Sequence, residues 1–168
     1  LTCELENGKT RRYILQRMND DIFKNPKGLM ENIMNVTSFL RNKIIQNGGD
    51  PDRETLNVIR TVDGDNYLVD EDGDFWRMYI FIEDATCFDI VEKPEDFYNS
   101  ALSFGNFQKL LADYPASTLH ETIPNFHNTV SRFEDFRKAV EEDTYKRAAG
   151  VQKEIRFVMD REPETHVI

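Results

Sequence analysis

Long apolar runs are missing from this 168-residue chain. No stretch approaches the ~18 consecutive apolar residues of a spanning helix, so no segment is predicted to cross a membrane. Cysteine is scarce as well. Cys3 and Cys87 are the only two, too few for a disulfide framework and without the paired spacing of a metal site. Both are read as free thiols in a reducing, cytoplasmic setting. Positive charge is also short: 21 Lys and Arg stand against 31 Asp and Glu, a formal charge of −10. Such a surface repels phosphate backbones, and neither Lys24 with Lys27 nor Arg11 with Arg12 makes a basic stripe. Nucleic acid is therefore excluded as an electrostatic partner.

Familiar catalytic signatures are absent too. His120-Glu121 would open a zinc-protease helix, but the second histidine of that motif falls at Pro124. Asp70 to Asp74 superficially resembles a calcium loop, yet the glycine such a loop requires falls at Phe75, so a hairpin turn is expected. No Walker-type phosphate loop, Gly-x-Ser-x-Gly elbow or His-x-Asp pair occurs. Neither cysteine lies in the Cys-x-Pro-x-Arg context of a sulfatase. Asn35-Val36-Thr37 matches a glycosylation acceptor but falls inside a helical pattern.

What is present is patterned like a folded domain. Twelve Phe, six Tyr and one Trp supply material for a core. Leu1, Cys3 and Leu5 alternate with polar residues, Asn7-Gly8 reads as a hairpin turn, and Arg12 to Met18 forms the return strand. Asn25-Pro26 marks a helix start. Leu29, Met30, Ile33, Val36, Phe39, Leu40 and Ile44 recur at helical spacing until Gly48-Gly49. Three short strands are expected next, at 56–60, 66–69 and 75–82, turning at Asp63-Gly64 and Asp72-Gly73. The last strand is apolar on both faces, as an inner strand should be. From Pro94 the period is helical, marked by Phe97, Phe104 and Phe107, and the spacings of Phe104, Phe107, Phe126, Phe133 and Phe136 assign those five to the core. Ser131 with Glu134 reads as a capping box, and a final helix is expected from Asp143 to Met159. Strands segregated from later helices define the class as α+β.

The order of these pieces is a strand-rich lobe with one long helix, then a connector into helices. That is how kinase-like folds frame ATP. Tyr13-Ile14-Leu15-Gln16-Arg17-Met18-Asn19, Trp76-Arg77-Met78-Tyr79, Phe81-Ile82-Glu83 and Phe104-Gly105-Asn106-Phe107-Gln108 occur in that order. Phe126-His127-Asn128-Thr129, Arg132-Phe133-Glu134-Asp135-Phe136 and Arg147-Ala148-Ala149 follow. Together they resemble the N-acetylhexosamine 1-kinases of the aminoglycoside phosphotransferase (choline kinase-like) superfamily, some of whose members carry a mucin-desulfatase label.

The resemblance implies a protein kinase-like N-terminal lobe at 1–83 lacking its first strand, a hinge region at 84–90, and the helical start of a C-terminal lobe at 91–168. It implies ATP and Mg²⁺ as cofactors and a small sugar as acceptor, GlcNAc or GalNAc; homoserine, choline or methylthioribose are alternatives, and so is a non-catalytic nucleotide-binding domain. Gln16 falls where kinase-like folds usually place a phosphate-binding Lys, or is simply a polar residue on a strand edge. Phe81, Ile82, Glu83 and Asp84 match the adenine-pairing hinge. His127 and Arg132 either line the sugar side of the cleft or staple the helix beginning near Ser131. Glu31 is expected to be a solvated carboxylate. No catalytic residue falls in this chain, because the family's His-x-Asp…Asn loop lies further along. The chain is thus expected to be a fragment, inactive alone. Its partners would be the missing C-terminal lobe of the same protein, or further copies through exposed apolar helix faces.

Overall fold

The computed structural model describes residues 1–91 and 93–167. It is mixed α+β, with a small antiparallel sheet followed by helices. Two compact units are present, Leu1–Thr122 and Ile123–Ile168. The lobe boundary expected at 84–90 lies inside the first of them.

The first unit opens with a hairpin. Strands β1 (Thr2–Glu4) and β2 (Thr10–Arg17) pair antiparallel with Cys3 opposite Arg11. The turn works because Gly8 takes a left-handed φ of 75° and Asn7 Oδ1 accepts the Lys9 N–H. Helix α1 (Pro26–Gln46) begins where Asn25-Pro26 predicts, with Asn25 Oδ1 accepting from Gly28 N at 2.9 Å. It ends at Asn47, followed by Gly48 at φ 75°. Met30, Leu40 and Ile44 on α1 are buried, as is Met18 beyond β2. These four residues are the core of the unit. The short helix α2 (Pro51–Glu54), capped by Asp50, was not anticipated. Arg41 on α1 ties this turn down through Asp52 and Asn57, each at 2.8 Å.

Strand β5 (Phe75–Ile80) is the inner strand, half-buried along its whole length. Strand β2 flanks it on one edge. The expected meander of three successive strands is corrected on the other edge. Strands β3 (Val58–Ile59) and β4 (Leu68–Val69) do not pair with each other; both pair with β5. Val58 sits opposite Tyr79 and Leu68 opposite Trp76. The chain thus advances ten residues while β5 recedes three, and seven residues loop out of one interrupted strand. The Asp63-Gly64 turn closes that loop, with Thr61 N bonded to Asp65 O at 2.8 Å and Gly64 at φ 91°. At the next turn Asp70 Oδ1 accepts from Asp72 N and Asp74 N, so the acidic run is a hairpin turn, as expected.

Helix α3 (Pro94–Leu110) follows. The core role expected for Phe104 and Phe107 is corrected: both are exposed, as is Phe97, and α3 buries no residue. Phe126, also assigned to the core, is exposed as well.

In the second unit, α4 (Thr129–Glu142) is capped by Asn128, whose Oδ1 accepts from Ser131 N at 3.0 Å. The capping box assigned to Ser131 is therefore corrected. Asn128 reaches the orphan N–H groups one turn earlier, and Ser131 becomes its donor. Phe133 is the buried residue of this helix. Asp143 is also corrected from helix start to helix end. It adopts the left-handed conformation (φ 34°, ψ 48°), and its carboxylate accepts from Arg147 N and Ala148 N. The last helix, α5 (Gln152–Met159), starts nine residues later than expected.

Candidate functional site

Strands β2 and β5 pair in a register that decides which side chains share a face. Gln16 lies directly opposite Arg77, and Ile14 opposite Tyr79. Because neighbours along a strand point to opposite faces, Leu15 and Met78 lie on the other side. Gln16 Oε1 accepts two bonds from Arg77, from Nε at 3.1 Å and Nη2 at 2.9 Å. This orients the amide and leaves its NH₂ group as the donor end. Arg77 also lies 5.9 Å from the Tyr79 ring centroid. No carboxylate pairs with it among the described residues. The position that lacks a Lys in the sequence therefore has a guanidinium beside it. In the sequence Arg77 stands out only as part of the Trp76-Arg77-Met78-Tyr79 segment. The strand register was the signal that would have paired it with Gln16.

The segment Phe81–Asp84 leaves the end of β5 and is held by arginines. Phe81 N donates to Arg12 O at 3.1 Å, and the Arg12 guanidinium lies 4.0 Å from the Phe81 ring centroid. Arg12 also grips the Glu83 carboxylate with two bonds, Nε to Oε1 at 2.9 Å and Nη2 to Oε2. That bond holds Glu83 below its ordinary pKa and raises that of Arg12. Arg53 of α2 donates to the Glu83 main-chain oxygen, and Asp84 takes a left-handed φ of 54°. Among the described residues, the Ile82 N–H and C=O make no bond within the chain. Of the four hinge residues expected, Ile82 thus offers an unspent main-chain donor and acceptor, while Phe81 and Glu83 are committed to holding the segment in place.

Glu31 is exposed, as expected, and also bonds to His120 Nε2 at 2.8 Å. Asn32 clamps the same residue, with Nδ2 donating to His120 O at 2.8 Å and Oδ1 accepting from His120 N at 2.9 Å. Further along α1, Phe39 meets Tyr114 edge to face at 5.1 Å, and Lys43 pairs with Asp113. Residues 113–120 therefore run along α1, roughly antiparallel to it. No local pattern announces this, because it joins positions 70 to 89 residues apart.

His127 and Arg132 belong to the second unit and sit close together there. Arg132 Nε donates to Phe126 O at 2.5 Å and its guanidinium lies 4.7 Å from the Phe126 ring, while His127 packs edge-on against that ring at 4.9 Å. These contacts staple the chain entering α4.

Among the described residues, no group of three His, Cys, Asp or Glu side chains is gathered to hold a metal, so the Mg²⁺ implied by the resemblance finds no donor set there. No described helix is long and apolar enough to cross a membrane. The sequence matches no model of a known protein family.

Proposed function

We propose that this chain forms the nucleotide side of an ATP-dependent phosphotransferase, a sugar kinase acting on the anomeric hydroxyl of an N-acetylhexosamine. The observation that carries this reading is the Gln16–Arg77 pair, which joins β2 to β5, the strand that leads into Phe81–Asp84. An amide alone brings donors but no charge. A planar guanidinium with no carboxylate partner adds both charge and a forked donor, which suits a phosphate group. The open main chain of Ile82 supports adenine pairing at the end of β5. A small antiparallel sheet accompanied by one long helix is compatible with a kinase-like N-terminal lobe.

In this reading His127 and Arg132 contribute to the sugar side. The same reading assigns the catalytic aspartate and the Mg²⁺ ligands to a longer chain, of which these 168 residues would be a part. Magnesium would neutralise charge on the transferring phosphoryl group. The exposed Phe97, Leu102, Phe104 and Phe107 of α3 are then surface that the rest of that chain covers. On its own, the 168-residue chain is expected to self-associate through them; a strictly monomeric sedimentation profile would count against this.

The test is a coupled ADP-release assay on the longer chain with GlcNAc, GalNAc, homoserine, choline and methylthioribose as acceptors. Turnover with the N-acetylhexosamines alone is the expected result. Turnover with another alcohol replaces the acceptor and keeps the fold, and silence on all of them removes the kinase reading. Arg77→Gln should weaken ATP binding on the order of tenfold, whereas unchanged binding would remove Arg77 from the phosphate site.

A further inference from the structure

Strand β1 stands at the edge of the sheet, with β2 as its sole strand neighbour among the described residues. Leu1 and Tyr13 exchange both main-chain bonds, at 2.9 and 2.8 Å, and Leu5 N donates to Lys9 O at 2.7 Å. In that alternation Cys3 and Arg11 are a bonded pair, whereas Thr2 with Arg12 and Glu4 with Thr10 are not. The Arg12 carbonyl, opposite Thr2, accepts from Phe81 N on the far side of β2. The main-chain N–H and C=O groups of Thr2 and Glu4 therefore point outward, and they make no bond among the described residues. All three residues of β1 are exposed, and neither Pro nor Lys blunts the strand. Such an edge is a template for another strand.

The side chains say which strand fits. From Leu1 to Leu5 the pattern is apolar, polar, Cys, polar, apolar, the same in both directions. Two copies can meet antiparallel about a two-fold axis at Thr2, Cys3 or Glu4. Centred on Glu4, the axis sets two carboxylates directly against each other, which is destabilising. Centred on Thr2, it leaves the outward groups of Glu4 unpaired. Centred on Cys3, it bonds Thr2 to the partner's Glu4 in both directions and uses every outward group of the edge. No like charges then oppose, and the Thr2 hydroxyl lies across from the partner's Glu4 carboxylate. On the other face Leu1 meets the partner's Leu5, and Cys3 meets the partner's Cys3.

We propose that β1 pairs with β1 of a second copy of this chain, antiparallel and centred on Cys3, joining two sheets into one. This interface is separate from the apolar face of α3 and does not rest on the nucleotide reading. Five residues a side are far fewer than the roughly 20–30 of a standard interface, so the pairing is weak and transient. It can be trapped. The two Cys3 residues form a non-hydrogen-bonded pair with Cα atoms about 4.5 Å apart, within the roughly 4.4–6.8 Å that a disulfide spans. Oxidised glutathione is the trap. One Cys3 thiolate attacks its disulfide and the partner's Cys3 then displaces the bound half, so two thiols are oxidised and two glutathione thiols are released.

The chain is equilibrated with oxidised and reduced glutathione, and its disulfides are mapped by mass spectrometry. Cys87, exposed and outside any strand, is the internal control. The Cys3–Cys3 link should exceed the Cys87–Cys87 link by about fivefold or more. Glu4→Pro removes an outward N–H and leaves the β1–β2 bonds in place, and it should lower the Cys3–Cys3 yield about fivefold. Copies held together by α3 alone would not align β1, and Glu4→Pro would leave their linkage unchanged. Amide exchange on Cys3→Ser is the second measurement, free of any disulfide at that position. The Glu4 amide should gain protection as chain concentration rises about twentyfold, while the amide at position 3, bonded to Arg11, stays protected throughout. A Cys3 link no greater than that of Cys87, a yield indifferent to Glu4→Pro, or Glu4 exchange independent of concentration each overturns the pairing.

Discussion

Replacing Gly28 with alanine sets a local gain against two losses that arise from packing. Gly28 is the third residue of α1 and is buried. Alanine is the better helix former by about 1 kcal/mol, so propensity alone predicts stabilisation. A Cβ built there, however, lies 2.9 Å from Asn25 Cγ and 3.0 Å from His120 Cγ. Asn25 would have to turn away, losing its bond to Gly28 N, and a lost N-cap costs about 1 kcal/mol. His120 would have to move as well, which disturbs the two bonds it makes with Asn32, at about 0.5–1.5 kcal/mol each. The losses exceed the gain, and Gly28→Ala should destabilise the chain by about 1–3 kcal/mol. The assay is urea unfolding, with Asn25→Ala and Asn32→Ala as references. Coupling is the sharper readout: on the Asn25→Ala background the same glycine substitution should cost clearly less, because one of its two clashes is gone. A Gly28→Ala chain as stable as the parent, or additive with Asn25→Ala, would refute the reasoning.

Three further outcomes are expected. Asn128→Ala should lower stability by about 1 kcal/mol while Ser131→Ala stays within about 0.5 kcal/mol, measured by denaturant midpoint; the reverse order would restore Ser131 as the cap. Met30→Ala, at the residue with no exposed surface, should cost about 2–5 kcal/mol, and a loss under 1 kcal/mol would mean the core is not centred there. The Asp70 pKa is lowered from 3.8, chiefly by the bond from Trp76 Nε1. Its folded value lies below the unfolded one, so the stability it lends is present above pH 3.8 and is lost as pH falls through the folded value. An acid titration followed by Trp76 fluorescence should show that loss, and Asp70→Asn should abolish the step; an identical profile in the variant would separate Asp70 from it.

The sequence by itself determined what depends on near neighbours along the chain. The hairpin at Asn7-Gly8, the start of α1 at Asn25-Pro26 and the acidic turn at Asp70–Gly73 all follow from short-range hydrogen bonds and from backbone angles that Gly adopts without cost. The inner position of β5 followed from its two apolar faces. Where two local signals competed, as at Asn128 against Ser131, spacing could not choose between them. Only the tertiary structure put Arg77 opposite Gln16, laid residues 113–120 along α1, and placed β3 and β4 in one line on β5. Each of those results is a contact between distant positions, set by strand register and by which surfaces bury one another. No short window of sequence carries that information. For that reason the chemistry proposed at Gln16 rests on an arginine 61 positions away.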